Sequence, residues 1–274
     1  MTRFFTAADG ARIAYRDQGR GLPVLCLSGL TRTKEDFDDA MPALAGCRVI
    51  RMDYRGRGES AFTGPSTYTI AQEAADAMAL MDHLGVSQVA LLGTSRGGMI
   101  GMGIANMAPN RLLGLCLNDI GPELHRPGLE RVRDYVGRRP AAKTLAELAE
   151  KLPAFNPGFE GVTPAQWQSM AARLYRETPE GLELNYDPDL RHSVLLSFSA
   201  QPFDMWKIWP PGPDLPLALI RGVNSDLLTQ ETADRMQETR PDMIRAEVPG
   251  RAHVPFLDEP ESVAALRSWV EKMR

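Results

Sequence analysis

Short apolar runs alternate along the chain with longer stretches in which apolar residues recur every three or four positions. Ala11 to Asp17 alternates apolar with polar residues as a half-exposed strand does, and Val24-Leu25-Cys26-Leu27 is continuously apolar. Phe37, Met41 and Leu44 recur at helical spacing, and Arg48 to Met52 predicts the next strand. Ile70 to Leu84 predicts a helix with Ala74, Ala77, Met78, Met81 and Leu84 on one face. Val89–Leu92 predicts a strand, Met99 to Met107 a helix, and Leu112–Leu117 a further strand. Short buried strands separated by amphipathic helices imply a mostly parallel sheet covered on both faces.

The rhythm changes between residues 121 and 213. Leu145, Leu148 and Leu152 mark helix there, prolines recur from Pro153 to Pro213, and no buried strand is evident. Strand and helix signals then resume in Leu217–Ile220, Thr229–Thr239, Met243–Val248 and Val263–Met273. The expected fold class is α/β. Residues 1–120 and 214–274 form one core, interrupted by a mostly helical insertion over 121–213.

One junction carries chemistry. The strand ending at Leu92 runs into Gly93-Thr94-Ser95-Arg96-Gly97 and straight on into a helix. A G-x-S-x-G turn between strand and helix lifts a serine hydroxyl out of the fold at the positive end of the helix. Its glycines let neighbouring backbone approach where a side chain would clash. Local context leaves open a plain helix-capping serine, so the partners decide.

An activated serine needs a base that works near neutral pH, which points to histidine. Of His83, His125, His192 and His253, only His253 follows directly on a core strand, in Pro249-Gly250-Arg251-Ala252-His253. Reactive groups in an open parallel sheet gather at the carboxyl ends of its strands, so Ser95 and His253 can share one rim. The orienting carboxylate should come from that rim as well. Asp226, after the strand Leu217–Ile220, gives the chain order Ser…Asp…His and is favoured. Asp119, just past Leu117, is the rival, while Asp53 is expected to organise its own loop. Backbone N–H groups of Arg96 and of Leu30, in Ser28-Gly29-Leu30-Thr31, are the expected oxyanion donors.

These segments, with Asp53-Tyr54-Arg55-Gly56-Arg57-Gly58-Glu59-Ser60, resemble the α/β-hydrolase family over nearly the whole chain. The resemblance puts residues 121–213 in the place of the family's variable helical cap. It also marks a departure, because many members carry His-Gly where this chain has Ser28-Gly29. Related halide- and epoxide-opening members use aspartate at the nucleophile position, and dienelactone-type members use cysteine. With Ser95 there, the resemblance implies acyl transfer through an acyl-enzyme, without a metal or organic cofactor.

Composition narrows the partners. Hydrophobic residues make up 43%, charged residues 24%, and the formal net charge is -4. An acidic chain without a basic block offers little to a phosphate backbone, so nucleic acid is not an expected partner. The sequence has no apolar signal-like start and no membrane-length span, and its three cysteines (Cys26, Cys47 and Cys116) read as reduced core thiols. A cytoplasmic protein, monomeric or homodimeric, is the expectation.

The leading expectation is hydrolysis of a small or medium carboxylic ester, lactone or thioester. Carbon–carbon cleavage of a ring-fission diketone and a non-catalytic small-molecule receptor are the alternatives. The insertion's aromatic residues, Trp167, Tyr175, Tyr186, Phe198, Phe203, Trp206 and Trp209, form its own core or an apolar lid. Trp206 is the expected substrate contact among them. The Arg96 side chain is expected to pair locally rather than with substrate.

Overall fold

The computed structural model describes residues 1–199 and 203–274; Pro202, one of the prolines of the insertion, lies outside the described residues. In chain order the first strands are β1 (Arg3–Thr6), β2 (Arg12–Gly19), β3 (Leu22–Leu27), β4 (Cys47–Met52), β5 (Val89–Thr94) and β6 (Leu112–Asn118). A hairpin follows, β7 (Tyr175–Thr178) with β8 (Gly181–Leu184), and then β9 (Leu217–Gly222) and β10 (Ile244–Val248). The helices are α1 (Ile70–His83), α2 (Arg96–Met107), α3 (Arg126–Tyr135), α4 (Leu145–Phe155), α5 (Pro164–Leu174), α6 (Leu190–Ser199), α7 (Gln230–Thr239) and α8 (Pro260–Glu271).

Eight strands make one sheet in the order β1-β2-β4-β3-β5-β6-β9-β10. The β1–β2 and β2–β4 pairs are antiparallel, and every other pair is parallel. Successive residues of each strand feed opposite faces, so the continuous apolar runs supply two cores. Leu25, Leu91, Leu115 and Leu219 pack with α1, α2 and α7 on one face. Cys26, Leu92, Cys116 and Ile220 pack with Leu266, Trp269 and Val270 of α8 on the other. Each fully buried leucine contributes about 1.5–3 kcal/mol.

Helix α1 begins where the Thr69 hydroxyl accepts the Gln72 N–H at 3.1 Å. It ends at Gly85, whose φ of +65° lets Val86 N–H reach back to the Met81 carbonyl at 2.9 Å. Helix α2 lies close on the sheet because its inner face is glycine. A Cβ at Gly97 would come within 1.9 Å of the Leu27 carbonyl oxygen, and one at Gly101 within 2.7 Å of Leu115.

Two sequence expectations differ from the structure, and one strand was not foreseen. The spacing of Phe37, Met41 and Leu44 does not build an α-helix. The chain there makes a 3-10 turn, Lys34–Phe37, and further tight turns, in which Pro42 has no N–H to give. Phe37 and Leu44 are nonetheless buried. Strand β1, four residues long on the sheet edge, was too short to give a periodic signal. The segment between β6 and β9 is not free of buried strand. It contains the β7–β8 hairpin, with Leu182 and Leu184 buried, beside α3 to α6. No helix among the described residues is long and apolar enough to cross a membrane.

Candidate active site

Ser95 stands between β5 and α2 with φ 51° and ψ −114°, a conformation that costs an ordinary residue about 1–3 kcal/mol. Glycines on both sides make it possible. A Cβ at Gly93 would lie 2.5 Å from the Gly97 carbonyl carbon, so the turn closes only without side chains there. Ser95 N–H donates to Asn118 O at 3.0 Å, and Gly98 N–H to Ser95 O at 2.9 Å, which fixes the turn to β6 and to the helix start.

His253 reaches the same rim on the loop after β10. Val223 N–H bonds Val248 O at 3.0 Å and Asn224 N–H bonds Arg251 O at 2.9 Å, tying this loop to the end of β9. Gly222 permits that approach, since a Cβ there would sit 2.5 Å from the Arg251 oxygen. Beyond the histidine, the buried Glu259 carboxylate accepts the N–H groups of Phe256 and Leu257 and the Arg251 Nε–H, which holds the loop closed. His253 Nε2 consequently lies 3.0 Å from Ser95 Oγ.

The carboxylate at the other ring nitrogen is Asp119, not Asp226. Asp119 Oδ2 lies 2.7 Å from His253 Nδ1. Asp119 directly follows β6 at φ +54° and is fully buried, and its other contacts are the Gly222 N–H at 2.9 Å and the Ser225 hydroxyl at 2.6 Å. Asp226 is carried away from the ring by the turn that follows β9. The start of α3 packs on that turn: His125 N–H bonds Leu227 O at 2.9 Å, and a Cβ at Gly128 would lie 2.6 Å from Asp226 O. The Asp226 carboxylate faces Arg131 Nη1 at 3.2 Å instead.

The loop after β3 is pinned through its carbonyls. Tyr54 Oη donates to Ser28 O at 3.0 Å, Arg57 Nε to Leu30 O at 3.0 Å, and Arg32 N–H to Gly29 O at 3.2 Å. Ser28 is buried and donates its hydroxyl to Arg32 O at 3.2 Å. With the carbonyls occupied, the Leu30 and Arg96 N–H groups make no hydrogen bond among the described residues. Both residues line the cavity that contains Ser95. The Arg96 side chain turns away to the buried Glu73 and to Tyr68 O at 3.0 Å.

This Ser95 cavity measures about 240 Å³, and Met99, Ile120, Leu124, Leu129, Val194 and Phe198 give it an apolar wall. It shares Thr31, Arg32, Val132, Tyr135, Leu227 and His253 with a larger cavity of about 650 Å³ under α3, α4 and α5. Trp206 lines neither. Its indole N–H donates to Glu123 Oε2 at 3.0 Å and its ring stacks under Arg235 at 3.8 Å, so the residue expected to contact substrate is engaged outside both cavities. Of the other aromatic residues, Tyr175 and Tyr186 face the larger cavity and Phe198 the smaller, while Trp167 is buried among α4 and α5. Asp53, as expected, organises its own loop: it accepts Lys34 Nζ and Lys34 N–H, each at 2.7 Å, and Glu59 N–H at 3.0 Å. Burial pushes its carboxyl above the ordinary range, against the pull of Lys34.

A strained serine at a helix start, an imidazole on its hydroxyl and a buried carboxylate behind the ring make an arrangement that can activate a hydroxyl for attack on carbonyl carbon. The model of the alpha/beta hydrolase family matches residues 24–266 of the chain. The chain belongs to the α/β-hydrolase family. It is 34% identical over 266 residues to a 3-hydroxybutyrate-oligomer hydrolase of Cupriavidus necator, covering 92% of this chain and 90% of that one. Among solved structures, an α/β hydrolase from Novosphingobium aromaticivorans superposes with a TM-score of 0.91 at 35% identity, covering 99% of this chain and 98% of that one. A thermophilic esterase from Thermogutta terrifontis superposes with a TM-score of 0.78 at 25% identity, covering 100% and 99%.

Within this α/β-hydrolase frame, Asp119 was readable as one of two strand-end aspartates. The roles of Tyr54, Arg57 and Glu73 in holding the loop after β3 were not, because nothing local in the sequence joins residues so far apart in the chain.

Proposed function

We propose that the protein is a serine hydrolase of carboxylic esters, acting through Ser95, His253 and Asp119. The observation that carries this reading is the pair of contacts on one imidazole, 3.0 Å to Ser95 Oγ and 2.7 Å to Asp119 Oδ2. His253 Nε2 takes the serine proton as Oγ attacks the ester carbonyl. Asp119 holds the Nδ1–H tautomer and stabilises the imidazolium. The oxyanion of the tetrahedral intermediate takes the Leu30 and Arg96 N–H groups, each worth about 3 kcal/mol in the transition state. His253 then protonates the departing alcohol, and a water activated by the same nitrogen releases the acid.

The segment 121–213 acts as a cap over this site, and an aliphatic ester of small or medium size suits the apolar wall around Ser95. The relative from Cupriavidus necator supports one substrate class in particular, the short oligoester of a hydroxyacid. A fluorophosphonate should label the protein, with the adduct on Ser95 and none in Ser95→Ala. Purified protein should also turn over p-nitrophenyl butyrate and soluble 3-hydroxybutyrate oligomers. Labelling without ester turnover, or turnover of vinylogous diketones alone, would overturn the esterase reading in favour of carbon–carbon cleavage. Neither labelling nor turnover would leave a small-molecule receptor.

A further inference from the structure

Arg32 follows the loop after β3 directly, and it lines both cavities that meet at His253. Its backbone is fixed at both ends, the N–H on Gly29 O and the carbonyl on Ser28 Oγ, each at 3.2 Å. A Cβ placed on Gly29 would lie 3.3 Å from Arg32 Cγ and 3.8 Å from Ser95 Cβ, so the arginine stem and the nucleophile flank the same glycine.

The guanidinium is poorly matched for its depth. Its side chain is 19% exposed, and its one carboxylate contact among the described residues is a long one, Nη1 to Asp36 Oδ1 at 3.4 Å. Burial pushes the Asp36 carboxyl up, against the pull of Arg32 and Arg173, so Asp36 is shared between two guanidinium groups. Arg173, at nearly the same depth, and the fully buried Arg55 are each gripped at both ends of the fork. Arg173 meets Asp39 at 2.6 and 2.9 Å, and Arg55 meets Asp76 at 2.7 and 2.6 Å. The remaining guanidinium donors have no carboxylate partner among the described residues, and the side chain lines both cavities, so an anion entering there would meet an available fork.

The two cavities differ in character. The smaller one, at Ser95, is walled by aliphatic side chains. The larger one carries Arg131, Arg138, Arg139 and Lys151 against Asp134 and Asp226. Those rim cations are exposed and in part already paired, Arg131 with Asp226 at 3.2 Å and Lys151 with Glu147 at 2.5 Å, so they attract rather than grip. Arg32 stands where the compartments join.

We propose that Arg32 binds the free carboxylate of the substrate, which makes the preferred esters acidic: half-esters of dicarboxylic acids and hydroxyacid oligoesters that end in a carboxylate. This rests on the ester-hydrolase reading and specifies its substrate. The aliphatic part occupies the Ser95 compartment and the anionic end lies toward the larger one. Arg32 is a binding residue in this scheme and takes no proton.

The test is the ratio of kcat/KM for mono-p-nitrophenyl glutarate to that for its uncharged methyl ester. The full chain should favour the acid. Arg32→Gln should lower the ratio about 10- to 100-fold, chiefly through KM of the acid, and Arg32→Lys should restore part of it. A variant damaged only in its fold would lose both activities alike and keep the ratio. An unchanged ratio in Arg32→Gln, or a wild-type preference for the methyl ester, overturns the proposal. Calorimetric binding of free glutarate to Ser95→Ala runs in parallel. If neither ester turns over, the hydrolase reading fails alone, and Arg32 is judged by whether glutarate binds and whether Arg32→Gln in the same background abolishes it.

Discussion

Asp119 and Asp226 differ by where their backbones point. The Asp119 backbone is held at φ +54° with its N–H on Ile220 O at 2.7 Å, which aims the carboxylate along the rim at His253. Ser225 Oγ, 2.6 Å from Asp119 Oδ2, also accepts the Leu228 N–H at 3.1 Å, so the turn that removes Asp226 supplies a hydroxyl to Asp119. Asp119→Asn should lower kcat on p-nitrophenyl butyrate by about 10⁴-fold with a folded protein, because the amide favours the wrong imidazole tautomer. Asp226→Asn should stay within about threefold of wild type, since it alters a partly exposed ion pair with Arg131. Steady-state kinetics on the two variants checks both, and a reversal of their order would return the role to Asp226.

Glu73 joins elements that are distant in the chain. From the first turn of α1 it meets Arg57 Nη1 at 3.0 Å and Arg96 Nε, with all of its side chain buried. Arg57 in turn holds Leu30 O, and Arg96 opens α2 beside Ser95, so one carboxylate steadies both segments whose N–H groups face the Ser95 cavity. Desolvation pulls the fully buried Arg57 below its ordinary range, which makes this counter-charge the more needed. Glu73→Gln should destabilise the protein by about 3–5 kcal/mol, read as a shift in the urea midpoint, because it leaves two guanidinium groups uncompensated. Nothing near Glu73 in sequence announces this role. The elbow at Ser95 could be read from five residues because its sterics are local, and His253 because it follows a strand directly. The choice between Asp119 and Asp226 depends on how α3 packs on the turn after β9. The place of Trp206, outside both cavities, reflects the same limit: an aromatic residue in the insertion does not declare which surface it faces.

Across the whole molecule the three thiols report on a single layer. Cys26, Cys47 and Cys116 are buried in the core that α8 covers, on β3, β4 and β6. Burial pushes the Cys26 thiol from 9.0 up to about 12, and those of Cys116 and Cys47 also rise. A thiol whose folded pKa exceeds its unfolded value adds stability that is fully present below about pH 9 and lost as pH rises toward the folded value. Above pH 9 the unfolded chain releases protons that the folded chain retains, so each such thiol should lower stability by about 1.4 kcal/mol per pH unit. Urea midpoints at pH 8 and pH 10.5 should therefore fall apart, and Cys26→Ala combined with Cys116→Ala should flatten much of the difference. The same burial removes the thiolate that an exchange reagent needs. Native protein at pH 8 should give no rapid reaction with dithionitrobenzoate, and the thiols should appear along the urea curve together with the loss of tryptophan fluorescence structure, since Trp269 lies in the same core. A thiol that reacts rapidly in the native state would mean that the α8 face opens locally, and the alkaline loss of stability would then fall short of the value expected for sealed groups.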